Sequence, residues 1–277
     1  MTHKLYFGDC RTQLWRLPAA SVDCVITDPP YPCIKRNYGT LTEKDWHTLM
    51  ADVVTQVRRV LKPAGSAVFI LQPNSRKVGK MRTWIWEFLL KTAKEWNLIQ
   101  DAYWWNTSAA PVTAANRKNK LLRPSVKYCL WFGDPNCYRN QDAVLWQASQ
   151  DMLKRKIEDR ALRHRPSGYT FRDGRALATV LERGGTTPFN LLPISASRTK
   201  QDMGVEKHPA RTPYRVAEWW VKYICPPGGV VLDPFAGSAT IGLAALRNGN
   251  NYVGIEQNAK YFQMARERLA GELAQAA

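Results

Sequence analysis

Two rhythms of apolar spacing alternate along the first 74 residues. Lys4 to Phe7 is a short apolar run stopped by Gly8-Asp9, and Asp23 to Thr27 is a β-branched run ending abruptly in Asp28-Pro29-Pro30. Between Glu43 and Leu61 the positions Leu49, Val53, Val57, Val60 and Leu61 share one side of a helix, with Thr42 as its cap. Lys62-Pro63-Ala64-Gly65 breaks that helix, and Ala67 to Leu71 reads as another buried strand.

The same alternation returns from about 212 to 277. Tyr214 to Ile224 reads as a helix, Pro226-Pro227-Gly228-Gly229 as a turn and Val230 to Leu232 as a strand. A loop then opens a helix from about Ser238 to Asn248. Tyr252 to Ile255 is a strand, and Asn258 caps a final helix to Leu273. Strands alternating with helices predict an α/β fold, a mostly parallel sheet covered on both faces. The middle is less regular. It holds Trp84, Trp86, Trp96, Trp104 and Trp105, a strand-like segment from Tyr128 to Phe132, and two basic clusters. The tryptophans fit core or a dimer contact better than a base-stacking platform. The expected organisation is a core of 1–74 and 206–277 split by an insert of 75–205.

Charge narrows the classes of partner. A net charge of +17 over 277 residues, with pI near 9.8, favours a polyanion, either nucleic acid or an anionic membrane surface. No run approaches the roughly 20 apolar residues that span a bilayer, and the first residues lack the apolar centre of a signal peptide. The six cysteines form no Cys-x-x-Cys pair, and the four histidines show no ligand spacing. No metal site, no disulfide framework and a reducing cytoplasm are therefore expected.

The sharpest chemical signal is Asp28-Pro29-Pro30-Tyr31, at the carboxyl end of a predicted parallel strand, where ligands of open α/β sheets bind. Two prolines fix the backbone and remove two N–H donors, so carbonyls can face a ligand without local competition. A carboxylate, rigid carbonyls and an aromatic face suit a flat molecule bearing an amino group. The plainer reading is a strand-ending turn with a structural tyrosine. A second signal is Leu232-Asp233-Pro234-Phe235-Ala236-Gly237-Ser238-Ala239-Thr240. Its small residues admit a ligand to the backbone, and the following helix offers free N–H groups to a carboxylate. It is neither a Gly-x-Gly-x-x-Gly loop nor a phosphate-binding loop. Some 20 residues on, Glu256 ends the next strand and suits a ribose diol. Alone, such a glutamate is more often a helix cap.

With these motifs in this order, the chain resembles the β group of DNA amino-methyltransferases, which pair Asp-Pro-Pro-Tyr with Asp-Pro-Phe-x-Gly-Ser. The resemblance covers about 4 to 74 and 205 to 270. Gly8-Asp9-Cys10 resembles the motif whose Asp contacts the cofactor adenine, and Leu61 to Gly65 the turn after the catalytic helix. Glu206-Lys207-His208-Pro209-Ala210-Arg211-Thr212-Pro213 resembles the His-Pro-Thr-x-Lys-Pro motif that helps hold the methionine moiety. Two residues depart from the pattern. Thr212 stands where the family has Lys, and Ala239 stands where the loop has a second Gly, which is tolerable if the helix has already started.

The resemblance implies a Rossmann-like fold, S-adenosyl-L-methionine as cofactor and double-stranded DNA as partner. It further implies a homodimer, a restriction–modification setting and methylation of adenine N6, with cytosine N4 as the alternative. The catalytic residues would be Asp28, Pro29, Pro30 and Tyr31. Asp28 and the Pro29 carbonyl would accept the two amino N–H bonds, and Tyr31 would stack on a flipped base. The cofactor set would be Asp9, Cys10, Asp28, His208, Asp233, Pro234, Phe235, Ala236, Gly237, Ser238, Thr240, Glu256 and Gln257. Tyr38 is a weaker candidate for the pocket lid. The cluster Arg117, Lys118, Lys120, Arg123 and Lys127 has no acidic residue and would meet DNA, whereas the basic run of 154–165 is as readily a solvated helix face. The rival of another class is a DNA-binding regulator that kept the fold and lost activity.

Overall fold

The computed structural model describes residues 2–35, 39–110, 115–116, 118–148, 163–164, 170–171, 173–196 and 212–276. Its first elements are β1 His3–Phe7, α1 Cys10–Trp15, β2 Val22–Thr27, α2 Glu43–Val60, β3 Leu61–Leu71, β4 Ser75–Lys77, β5 Lys80–Met81 and α3 Trp84–Ala93. There follow β6 Leu98–Trp105, β7 Val126–Gly133, β8 Arg163–His164, β9 Thr170–Phe171, α4 Asp173–Arg183 and β10 Leu191–Pro193. The last are α5 Tyr214–Ile224, β11 Val230–Asp233, α6 Thr240–Arg247, β12 Asn251–Glu256 and α7 Ala259–Ala276.

One sheet carries the strands in the order β1-β12-β11-β2-β3-β7-β6-β10. Its pairings are parallel except those of β7 with β3 and with β6. The two flanks of the sequence meet at its centre, where Cys24 pairs with Val231 and Val25 with Leu232. That register sets Asp28 and the 233–237 loop side by side at one carboxyl edge. Phe7 pairs with Glu256, so Gly8-Asp9 leaves the same edge.

A strand buried on both faces reads as a continuous apolar run, which is why Asp23 to Thr27 shows no alternation. Cys24 and Ile26 pack into a core with α5, α6 and α7, and Val25 into another with α1, α2 and α3. The caps are where the sequence places them. Thr42 Oγ1 accepts from the Asp45 N–H at 3.1 Å, and Asn258 Oδ1 from the Tyr261 N–H at 3.2 Å.

Three features differ from the sequence expectation. Lys62 to Gly65 does break α2, but as an excursion inside β3: pairing with β2 jumps from Val22–Leu61 to Cys24–Ser66. Helix α6 starts at Thr240, and Ala239 precedes it in the left-handed conformation at φ 54°. Ala239 therefore stands outside the helix and bears a strain of about 1–2 kcal/mol that glycine would avoid. The third concerns the insert. β6, β7 and β10 belong to the same sheet as the flanks, and Trp84 and Trp104 are buried in the core. The compact units are Met1–Arg139 with Asn190–Ala277, and Asn140–Phe189. In the smaller unit Trp146 pairs with Thr186, and Arg183 donates to Asp142 and Gln141, each at 2.7 Å. Among the described residues no helix is long and apolar enough to cross a membrane.

Candidate active site

The carboxyl ends of β1, β2, β11 and β12 open onto one cavity of about 340 Å³. Asp28 leaves β2 and turns its carboxylate into a cluster of donors. Its Oδ1 accepts from the Tyr31 hydroxyl. Its Oδ2 accepts from Lys127 Nζ at 3.1 Å and from Thr212 Oγ1 at 2.8 Å.

The prolines behind it differ in how their carbonyls are used. Trp46, fully buried on α2, donates its indole N–H to the Pro30 carbonyl at 2.6 Å. Asn74 donates to the Pro32 carbonyl at 2.8 Å. Among the described residues none donates to the Pro29 carbonyl, which lies on the cavity wall with Asp28. Trp46 and Asn74 thus pin the turn and leave one rigid acceptor available beside a carboxylate. Tyr31 is mostly buried, tilted against Trp84 at a centroid distance of 6.2 Å.

More of the wall is built by the loop after β11 and by the end of β12. Pro234, Phe235, Gly237, Glu256 and Gln257 line the cavity. Glu256 braces the loop: Oε2 accepts from the Gly237 N–H at 2.8 Å and Oε1 from the Asn258 N–H at 2.7 Å. Burial raises its carboxyl above the ordinary value. The Gln257 N–H also faces it, and a carboxylate with about four acceptor sites still has room for a further donor. Asp9 and Cys10 line the same cavity. Arg11 holds Asp9 in a two-pronged pair at 3.0 and 2.7 Å and lowers its pKa. Burial pushes the Cys10 thiol up to about 12, so it stays protonated.

Several expected cofactor residues lie off the cavity wall. Asp233 is fully buried, accepting from Thr27 Oγ1 at 2.7 Å and from the Phe235 N–H at 3.1 Å, so it shapes the loop from beneath. Ala236 and Ser238 point inward, and the Thr240 hydroxyl is taken by Arg268 at 3.0 Å. Tyr38, Arg117 and His208 lie outside the described residues. Lys118, Lys120 and Arg123 are exposed, but Lys127, grouped with them by sequence, is drawn in to Asp28. Lys127 and Thr212 are the site residues that sequence reasoning missed. Leu41, Asp45 and Leu49, around the start of α2, also line the cavity unexpectedly.

Burial raises the Asp233 carboxyl from 3.8 to about 7. The folded state therefore holds that proton more tightly than the unfolded chain. This contribution to stability is complete below pH 3.8 and lost as pH rises through about 7. Asp233→Asn keeps the acceptor oxygen without the charge. Its melting temperature should gain on that of the unaltered protein between pH 5 and pH 8; a constant gap would contradict the linkage.

The geometry offers two fixed acceptors and an aromatic side chain on the wall of one cavity, groups suited to holding an amino group against a second ligand. Comparison with known proteins agrees. The family model of N6 and N4 methyltransferases, described as DNA methylase, matches residues 22–267. This chain belongs to the N6/N4 DNA methylase family. The type II methyltransferase M.PvuII of Proteus hauseri is 28% identical over 275 residues, covering 93% of this chain and 80% of its own. The DNA adenine methyltransferase YhdJ of Escherichia coli (strain K12) is 27% identical over 270 residues, covering 95% and 81%.

Solved structures carry the same fold. The PvuII DNA methyltransferase (cytosine-N4-specific) superposes with a TM-score of 0.73 at 24% identity, over 97% of this methylase and 86% of its own chain. TTHA0409 of Thermus thermophilus, complexed with S-adenosyl-L-methionine, gives 0.58 at 22% identity, over 99% and 96%. The sheet of this DNA methylase is thus the Rossmann-like sheet of S-adenosyl-L-methionine-dependent methyltransferases.

Proposed function

We propose that this DNA methylase transfers a methyl group from S-adenosyl-L-methionine to the N6 amino nitrogen of adenine, on a base flipped out of duplex DNA. The observation that carries the reading is the pairing of the Asp28 carboxylate with the unused Pro29 carbonyl at the cavity wall.

The cavity fits the cofactor. Its volume of about 340 Å³ lies within the range of small-molecule sites, about 300–1,000 Å³. Gly237, which has no side chain, the Glu256 carboxylate, Asp9 and Cys10 all line it. Glu256 would accept from the ribose hydroxyls, and the Asp9–Cys10 turn would meet the adenine. Bound there, the cofactor supplies an electrophilic methyl on a sulfonium.

The chain's own residues do the rest. An exocyclic amino nitrogen is a poor nucleophile because its lone pair is delocalised into the ring. Asp28 and the Pro29 carbonyl accept its two N–H bonds. That localises the lone pair, directs it at the methyl and stabilises the positive charge that builds on nitrogen. Tyr31 supplies an apolar face for the extruded base. The product's extra proton leaves by way of the acceptor it already faces.

Adenine is favoured by the Asp at the first position of the tetrad. The cytosine-N4 reading is favoured by one observation, the TM-score of 0.73 to a cytosine-N4-specific enzyme. Either base offers two N–H donors to the same pair of acceptors. The homodimer implied by the resemblance, in the reducing cytoplasm that the scattered cysteines suggest, completes this reading.

Incubating the purified protein with unmethylated duplex DNA and the tritiated methyl donor tests the activity. Label in the DNA is expected, and its absence would favour the inactive regulator. DNA contact is expected through exposed Lys118 and Lys120, on the segment that leads into β7 at the catalytic edge. Changing both to Gln should weaken DNA binding and flatten the slope of log K against log salt by roughly 0.9 for each phosphate no longer neutralised. Cofactor affinity should not change. An unaltered slope would place the DNA face elsewhere.

A further inference from the structure

Lys127 is the second residue of β7, the one strand of the described sheet that runs against its neighbours. Because β7 is reversed, with Tyr128 opposite Leu71, its amino end lies at the carboxyl edge where Asp28 leaves β2. The Lys127 side chain is 12% exposed, as is that of Asp28. Its ammonium lies 3.1 Å from Asp28 Oδ2 and 2.9 Å from the Tyr31 hydroxyl. It also stands over the rings of Trp104, at 4.9 Å, and Tyr31, at 5.4 Å. An ammonium so far from water is costly unless paired, and the carboxylate and two aromatic faces meet that requirement. Lys127 is not part of the cavity wall.

The same carboxylate oxygen also accepts from Thr212, the residue that stands where the resembled motif carries lysine. The lysine missing at 212 is matched in space by one from β7, reaching the oxygen that Thr212 reaches.

We propose that Lys127 is a positioning residue for methyl transfer, its ammonium locking the Asp28 carboxylate and the Tyr31 hydroxyl into the orientation that receives the amino group. It acts through Asp28, not on the base. Asp28 would otherwise be free to turn about its terminal bond. With Oδ2 held by Lys127 and Thr212 and Oδ1 by Tyr31, the plane of the carboxylate is set before DNA arrives. Tyr31 is set by the same contact. This inference rests on the proposed activity.

Single-turnover methyl transfer with S-adenosyl-L-methionine and duplex DNA tests it. The unaltered protein's rate tests the activity, and the ratio of variant to unaltered rate tests Lys127. Lys127→Met should slow transfer on the order of a hundredfold, the scale of a misplaced reacting group. Dissociation constants for the cofactor and DNA should stay within about twofold. Adding Thr212→Lys to that variant, which returns an ammonium to Asp28 from the other side, should recover most of the lost rate. The proposal is overturned by a Lys127→Met rate within about twofold of the unaltered one. Cofactor affinity that falls in step with the rate, or a double variant no faster than the single, would overturn it equally.

Discussion

Asp28→Asn should reduce methyl transfer by on the order of 10²–10³ or more, while DNA and cofactor still bind. The size follows from removing a preorganised charge aimed at the nitrogen where positive charge develops. An interaction made more strongly in the transition state than in the ground state lowers kcat and kcat/KM together and leaves binding largely untouched. Asparagine is the informative choice because it keeps an acceptor oxygen. Asp28→Ala should be at least as inactive but also less stable. Both variants strip Lys127 of its counter-charge at a side chain only 12% exposed, and breaking such a pair costs about 3–5 kcal/mol; asparagine still offers the ammonium an acceptor oxygen, whereas alanine leaves it none. Rate, calorimetric affinity and melting temperature, measured together on both variants, separate the two effects. A variant lacking the carboxylate that still turned over near the unaltered rate would remove Asp28 from the chemistry.

Gly237→Leu should abolish cofactor binding. Gly237 lies on the cavity wall with φ 52° and donates its N–H to Glu256. A leucine there projects into the space the cofactor needs and takes up left-handed strain of about 1–2 kcal/mol. Gly228 provides the control, since at φ +71 it is equally left-handed and nothing lies within 4 Å of a Cβ built on it. Gly228→Leu should therefore lose comparable stability and keep cofactor affinity. Calorimetry on both variants is decisive. Unaltered affinity in Gly237→Leu would take this loop out of the cofactor site.

What the sequence shows of this site and what it hides have physical causes. Asp28 to Tyr31 is legible because strand end, proline pair and aromatic are contiguous, and their chemistry is local. The caps at Thr42 and Asn258 are legible for the same reason. Lys127 is hidden because its partner lies 99 residues upstream. Along the chain it closes a cationic run with no acidic neighbour, and only the reversal of β7 turns it inward. Ala239 is hidden because nothing in a sequence marks which residue of a small-residue loop takes a positive φ. Asp233, Ala236, Ser238 and Thr240 belong to the same motif as the cavity-lining residues, yet the tight turn after β11 points them into the core. A motif names a loop; the backbone decides which of its side chains face the ligand. The insert misleads in another way. β6 and β7 carry the tryptophans and tyrosines of an irregular-looking middle, and pairing with β3 makes them sheet.

Methyl transfer to an exocyclic amino nitrogen, with adenine N6 as the acceptor, is open to direct measurement. Unmethylated plasmid treated with the protein and the trideuteromethyl cofactor, digested to nucleosides and resolved by mass spectrometry, tests it most directly. Labelled N6-methyldeoxyadenosine is expected from the unaltered protein and almost none from Asp28→Asn. Labelled N4-methyldeoxycytidine in its place would overturn the adenine assignment. Label on a ring carbon, or no label at all, would exclude methyl transfer to an exocyclic nitrogen by this protein.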